Sequence, residues 1–389
     1  MKARWGGAAA LAWLLAACSG GNSAVGQHSS TPGASSSTSA SSTSVAEATA
    51  VAASGVVMTT AVQTYHLAVL STNGQVARST SAVVPSAASH LPRFSVAGAD
   101  VYYLDGNASL KVLKADGSTA LVRHVPGSTT DRIVFSVSPD GQRIAYVVMH
   151  FQTGGKNGCN YPVIPPGCSP TITTHLRVGN LDGTAEAEIY SGPTSEYPVG
   201  WQDGALLIAV GPAFVQNPGE LNPYFAEEYR RVSPTDATRL FSTTSVCPGA
   251  VALTGPYTSA GTACIRGSIV QRLDWQGTLT TLGDVAPAPS AAAALSPDGT
   301  RAAVARFGST GLEPRLLLVS GGKATQTATT GFPAGWFDGS QLLYVTQPGG
   351  VSCTFAILDV STGTSTSVDL GNLSGGIDPY APFFVRLGA

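Results

Sequence analysis

Charge is what this 389-residue sequence has least of: Asp, Glu, Lys and Arg make up 11% of it and sum to a net charge of -2. Ordinary soluble chains carry about a quarter, so the wetted surface here must be built largely from Ser, Thr, Asn, Gln and Gly. Without a basic excess there is no electrostatic footprint for nucleic acid, and no nucleic-acid partner is expected. Long apolar runs are also missing. None approaches the roughly 20 residues that a membrane-crossing helix needs. The usual catalytic and phosphate- or metal-binding signatures are absent as well: no G-x-S-x-G, H-E-x-x-H, Walker A or EF-hand loop, and no C-x-x-C. A non-enzymatic chain with no cofactor, no metal and no catalytic residue is the expectation.

The N-terminus places positive Lys2 and Arg4 before an apolar stretch, Gly6 to Leu15, and then small Ala16 and Ala17. That order reads as a signal peptide, too short to span a bilayer. Leu15-Ala16-Ala17-Cys18 resembles the lipobox of bacterial lipoproteins, in which the cysteine takes a lipid anchor, palmitate among its acyl groups. The resemblance implies cleavage after residue 17, lipidation of Cys18, and residence on the extracytoplasmic face of the cell membrane, on its periplasmic or wall side. Of six cysteines, five then remain in an oxidising compartment, where disulfides form. Local pairs are expected, Cys159 with Cys168 and Cys247 with Cys264, leaving Cys353 as a buried thiol.

From Ser19 to about Ala53 the sequence is Ser, Thr, Ala and Gly with almost no large apolar residue, the composition of a disordered tether. With Cys18 this tether is assigned to residues 18–60, and at about 5–6 Å × √n it would hold the folded part roughly 30–35 Å from its anchor. Residues 61–389 carry short Val/Ile/Leu/Tyr/Phe runs between turn signals, and no long helical period, which argues for an all-β fold.

The runs repeat. Phe135-Ser136-Val137-Ser138-Pro139-Asp140-Gly141 returns as Ala293-Ala294-Leu295-Ser296-Pro297-Asp298-Gly299, with weaker copies at Gly200-Trp201-Gln202-Asp203-Gly204, Gly335-Trp336-Phe337-Asp338-Gly339 and Phe94 to Gly98. Each reads as strand, tight turn, strand. Second hairpins follow at Asn73-Gly74, Asp116-Gly117, Asp182-Gly183, Ser233 to Asp236, Gln276-Gly277, Gly321-Gly322 and Thr362-Gly363. Two hairpins per unit, at a period of about 40–45 residues, are the mark of a β-propeller with four-stranded blades. Seven blades are favoured, with six or eight as alternatives. Residues 65–80 and the C-terminal run Phe383 to Leu387 are expected to share one blade and close the ring.

The Ser-Pro-Asp-Gly turns resemble the WD40-like (PD40-type) repeats of the TolB propeller family, over roughly residues 65–387. The α/β domain that precedes the propeller in that family has no counterpart here, so a role in the Tol system is not implied. The turn aspartates, Asp140, Asp203, Asp298 and Asp338, are read as turn formers, not calcium ligands. His66, His90, His124, His150 and His175 are scattered.

Two interruptions of the repeat carry the functional expectation. Segments from about His150 to Thr174 and from about Gly211 to Glu228 fall between the second and third strands of neighbouring blades, and so emerge side by side on one face. They offer Phe151, Tyr161, Phe214, Tyr224, Phe225 and Tyr229 with Glu220, Glu227 and Glu228, aromatic and acidic groups of the kind that binding surfaces use. The expected function is a membrane-anchored scaffold that binds another protein of the cell envelope, itself a monomer. The alternatives are glycan or small-molecule binding at the mouth of the central channel, and a lyase-like propeller enzyme using clustered histidines.

Overall fold

A computed structural model describes residues 53–61, 63–84, 93–129, 131–152, 171–193, 196–210, 228–243, 258–286, 293–307, 314–346, 354–376 and 384–388. Among them there is no α-helix, and no helix long and apolar enough to cross a membrane. The strands form seven antiparallel sheets, each drawn from consecutive strands except the first. That blade combines β1 (Ser54–Thr60), β2 (Thr64–Ser71) and β3 (Val76–Val83) with the last strand of the chain, β27 (Phe384–Arg386). Blade 2 is β4 (Phe94–Ala97), β5 (Asp100–Asp105), β6 (Ser109–Leu113) and β7 (Thr119–His124). Blade 3 is β8 (Arg132–Val137), β9 (Arg143–Gln152), β10 (Thr171–Asn180) and β11 (Ala187–Gly192). Blade 4 is β12 (Glu196–Gln202), β13 (Ala205–Val210), β14 (Glu228–Val232) and β15 (Arg239–Ser242). Blade 5 shows three strands among the described residues, β16 (Thr262–Arg266), β17 (Ile269–Leu273) and β18 (Leu279–Asp284). Blade 6 is β19 (Ala293–Leu295), β20 (Ala302–Phe307), β21 (Pro314–Ser320) and β22 (Lys323–Thr330). Blade 7 is β23 (Phe332–Trp336), β24 (Gln341–Thr346), β25 (Thr354–Asp359) and β26 (Thr364–Val368). The ring has seven blades.

One expected boundary moves. Ser54–Thr60, assigned by composition to the tether, is β1, with Val56, Val57 and Met58 each at most 1% exposed. A short Val-Val-Met run at the end of a polar segment is too brief to show a period, yet inside a blade it is covered on both faces. The N-terminal side therefore gives the closing blade three strands and the C-terminus gives one.

The apolar clusters lie across the junctions between neighbouring blades, joining blade 1 to 2, 2 to 3, 3 to 4, 5 to 6, 6 to 7 and 7 to 1. A tryptophan reinforces two of them. Trp201 in β12 donates from Nε1 to the Ser136 carbonyl of β8 at 3.3 Å, and Trp336 in β23 donates to the Ala294 carbonyl of β19 at 2.9 Å. In both cases a Gly-Trp blade locks onto a preceding Ser-Pro-Asp-Gly blade, so the sequence repeats a two-blade device. The same turn position supports it: Arg143 lies over the Trp201 ring at 5.2 Å, and Arg301 donates to the Gly339 carbonyl at 3.1 Å.

Closure is made by β27 pairing with β1, Val56 opposite Val385. Its Phe384 is 1% exposed and meets Phe337 edge-on at 5.0 Å. Gly55 and Gly335 flank the ring so closely that a Cβ on either would stand 2.3 or 2.4 Å from it. Phe384→Ala is therefore expected to cost about 3–5 kcal/mol, and Gly335→Ala to destabilise by forcing the ring aside. Denaturant unfolding of each variant against the parent measures both, and an unchanged midpoint would refute the role given to this contact.

Candidate functional site

Strand order divides the connections between two faces. First-to-second and third-to-fourth turns lie on one, the turn face, and second-to-third connections lie on the other, the loop face. On the turn face Asp140, Asp298 and Asp338 are occupied by the backbone. Ser138 Oγ donates to Asp140 Oδ1 at 2.5 Å and accepts from Arg143 N–H at 2.9 Å, while Gln142 N–H donates to the same carboxylate at 3.0 Å. Ser296 and Asp298 repeat the pattern. Asp338 accepts from Ser340 and Gln341 N–H, and Asp203, at φ 49°, sits 3.9 Å from Arg231.

On the loop face, the β9–β10 connection leaves at Gln152 and returns at Thr171, and the β13–β14 connection leaves at Val210 and returns at Glu228. The equivalent connections of blades 1, 2 and 5 are tight, closing within a few residues. The two long ones are rooted in blades 3 and 4, whose inner strands β8 and β12 pack together. Phe151 stands opposite Ile172 in the β9–β10 ladder. Tyr161, Phe214, Glu220, Tyr224, Phe225 and Glu227 lie outside the described residues, as do Cys18, Cys159, Cys168, Cys247 and Cys353.

Glu228 and Tyr229 were expected on a binding loop, and the structure corrects both. They open β14, where successive side chains point to opposite sheet faces, and both faces are covered: Glu228 is 7% exposed and Tyr229 2%. Tyr229 packs edge-on against Trp275 at 6.4 Å, and its N–H donates to Thr243 Oγ1 at 2.9 Å. Glu228 belongs to an ionic knot on the side turned to blade 3. The Arg230 guanidinium reaches Glu196 Oε1 at 2.5 Å and Glu228 Oε2 at 2.9 Å, and Ser242 Oγ donates to Glu228 Oε1. Burial works to raise the Glu228 pKa, but the Arg230 and Ser242 donors outweigh it and hold the carboxyl below its ordinary range. Glu196 and Arg230 were not singled out from the sequence. Their signal was the rarity of charge beside apolar strand runs. The knot pins three strand ends, β12, β14 and β15, at the root of the second long connection.

Cys264 in β16 is fully buried and disulfide-bonded, and its partner lies outside the described residues. The histidines are spread over three blades and each meets a partner near its own strand. His66 pairs with Ser81 at 2.7 Å, His124 with Ser109 at 3.4 Å, His150 with Asp131 at 2.7 Å and His175 with Glu188 at 3.1 Å. His90 is not among the described residues. Within those residues no group of three or more His, Cys, Asp or Glu is gathered to hold a metal ion.

No protein-family model matches the chain, and no curated protein sequence matches it. Solved structures are similar in fold. TolB from Acinetobacter baumannii is 12% identical over 86% of this chain and 66% of its own, with a TM-score of 0.39. An acylaminoacyl peptidase of Pyrococcus horikoshii is 11% identical over 79% of this chain and 48% of its own, TM-score 0.47. A puromycin-hydrolyzing peptidase of Mycobacterium tuberculosis is 14% identical over 84% of this chain and 54% of its own, TM-score 0.44. The chain thus spans about half to two thirds of the length of these neighbours, and at such identity the likeness concerns the propeller fold alone.

Removing Arg230 leaves two buried carboxylates without their cation, so Arg230→Ala is expected to lose about 3–5 kcal/mol of stability. Because the Glu228 pKa is depressed in the fold, its contribution is complete above the ordinary glutamate range and is lost as pH falls through the folded value. Unfolding free energies followed downward from about pH 5 should fall less steeply for Glu228→Gln than for the parent; identical slopes would remove Glu228 from the acid response.

Proposed function

We propose that this chain is an extracytoplasmic lipoprotein, anchored through Cys18, whose propeller is a non-enzymatic scaffold for another envelope protein. The protein-binding surface is the loop face of blades 3 and 4. The observation that carries this reading is that the strand ends bounding two long connections, 153–170 and 211–227, lie on the same face of neighbouring blades, those of blade 4 being held by the Glu196–Arg230–Glu228 knot. Scaffolds commonly display recognition segments this way, as loops on fixed strand ends. A fixed root also lowers the ordering cost that binding must overcome. The aromatics Tyr161, Phe214, Tyr224 and Phe225 supply the contacts in this reading, with Glu220 and Glu227 at their rim, and Phe151 belongs to the ladder beneath. A Cys159–Cys168 disulfide would shorten the free length of the first segment, and a Cys247–Cys264 disulfide would fasten the neighbouring blade.

The attachment of the tether supports a polarity. It joins at Ser54, whose carbonyl accepts the Leu387 N–H at 2.9 Å, next to the Gly388 N–H to Gly98 carbonyl bond at 3.1 Å. Both bonds lie on the turn face. The lipid therefore pulls on the side opposite the two long connections, and the partner is met on the side away from the bilayer.

Two experiments test this. Rejoining Val210 to Glu228 through a short turn spares the buried knot and removes only the second connection. Cross-linked envelopes should yield a defined partner with the parent and lose it with the shortened chain; equal recovery from both would sink the assignment of this face. Separately, Cys18→Ala should appear in the medium or as an uncut precursor, and continued membrane retention of a processed form would rule out the anchor.

A further inference from the structure

We propose that Arg306 and Arg315, on blade 6, form an oxyanion site that takes a phosphate group. The two arginines stand directly opposite each other at the loop-face ends of β20 and β21. In an antiparallel pair, directly opposed residues project from the same sheet face with Cβ atoms about 5 Å apart, and like charges so placed repel. A chain with 11% charged residues nonetheless sets two cations here.

Several arginines of this fold are neutralised by carboxylates, and others, such as Arg301 on the Gly339 carbonyl, are spent on the backbone. Arg123 meets Glu186, Arg177 meets Glu186 and Glu188, and Arg230 meets Glu196 and Glu228. Among the described residues neither Arg306 nor Arg315 has a carboxylate partner; Glu313, in the connection between their strands, lies outside them. Asp284, two residues from the Ala286 carbonyl that Arg306 bonds, accepts the Ala286 N–H on Oδ1 at 3.0 Å.

Arg306 is also aimed. Its Nη2 donates to Gln326 Oε1 at 3.1 Å and its Nη1 to the Ala286 carbonyl at 3.4 Å, which leaves the remaining N–H groups of a fixed, half-buried fork. Arg315 is exposed, its guanidinium making no hydrogen bond among the described residues, and Thr330 stands opposite it in the next strand. A planar guanidinium offers a pair of parallel N–H donors suited to oxyanions. A carboxylate has two oxygens and fills one such fork. A tetrahedral phosphate has oxygens enough for both, and its charge relieves the repulsion between them. The site lies two blades from the nearer edge of the proposed protein-binding rim and does not depend on it.

Thermal unfolding of the full chain in detergent, at matched ionic strength, tests the site with two probes: inorganic phosphate, and glycerophosphoglycerol as a soluble stand-in for a lipid headgroup. One of them should raise the Tm of the parent saturably, and Arg306→Gln and Arg315→Gln should each weaken that response by at least tenfold in half-saturating concentration. A response to the diester would assign the phosphate to a headgroup, and a response to inorganic phosphate alone would assign it to the free ion. Without either probe Arg315→Gln should melt no lower than the parent, since it removes a like-charge pair. The proposal is overturned if neither probe shifts the parent saturably, or if the variants respond as the parent does.

Discussion

The pairing of β27 with β1 is the constraint on which the rest of the molecule depends. A blade buries its two faces only against its neighbours, so a ring left open would expose one face of blade 7 and one of blade 1. The last three-residue strand closes both. It adds an inner strand to blade 1 and drives Phe384 into a slot whose walls are two glycines and the edge of Phe337. The slot exists because Gly55 and Gly335 have no side chains, so two residues more than 250 positions apart are coupled through one aromatic ring. The stability of each junction then rests on every other junction being shut.

Within the ring, the turn face was readable because its chemistry is local. The serine, aspartate and glycine and the two N–H groups that follow them satisfy one another within six residues, Ser138 to Arg143, and Gly141 and Gly299 take φ near 70° without strain. Where the same geometry is reached by other residues, the sequence gives little warning. Ala237 adopts φ 55° in the Ser233 turn, and the described part of blade 5 opens on a Thr258–Gly261 turn with neither Asp nor Pro. The first strand escaped for a related reason: Val56 to Met58 is buried on both faces, so it has no alternation to read, and it follows directly on polar residues.

The long connections were legible as breaks in a repeat, and their shared face followed from counting strands. Where they end was not legible. Phe225-Ala226-Glu227-Glu228-Tyr229-Arg230-Arg231-Val232 has the polarity of a loop, yet its second half is a strand between two packed blades. Charge pairing makes that possible: Glu228 can be buried because Arg230 and Ser242 reach it from the adjoining positions. Such a knot joins residues from β12, β14 and β15, and no local pattern announces it.

This explains how a chain so poor in charge uses what it has. The turn aspartates Asp140, Asp298 and Asp338 are bound to the backbone of their own turns, and other carboxylates of blades 3 and 4 are tied to arginines or histidines. What remains on the outside is largely uncharged: β22 and β26 present Thr, Ser and Gln to solvent. A surface of this kind has little long-range field with which to draw in a partner. Under the proposed function, recognition on the loop face would therefore depend on fit and desolvation at close range, and the proposed lipid and tether would compensate by keeping the propeller concentrated at the membrane. In that reading anchor and weak surface field belong to one design: the search for a partner would be shortened by confinement where other proteins shorten it by charge.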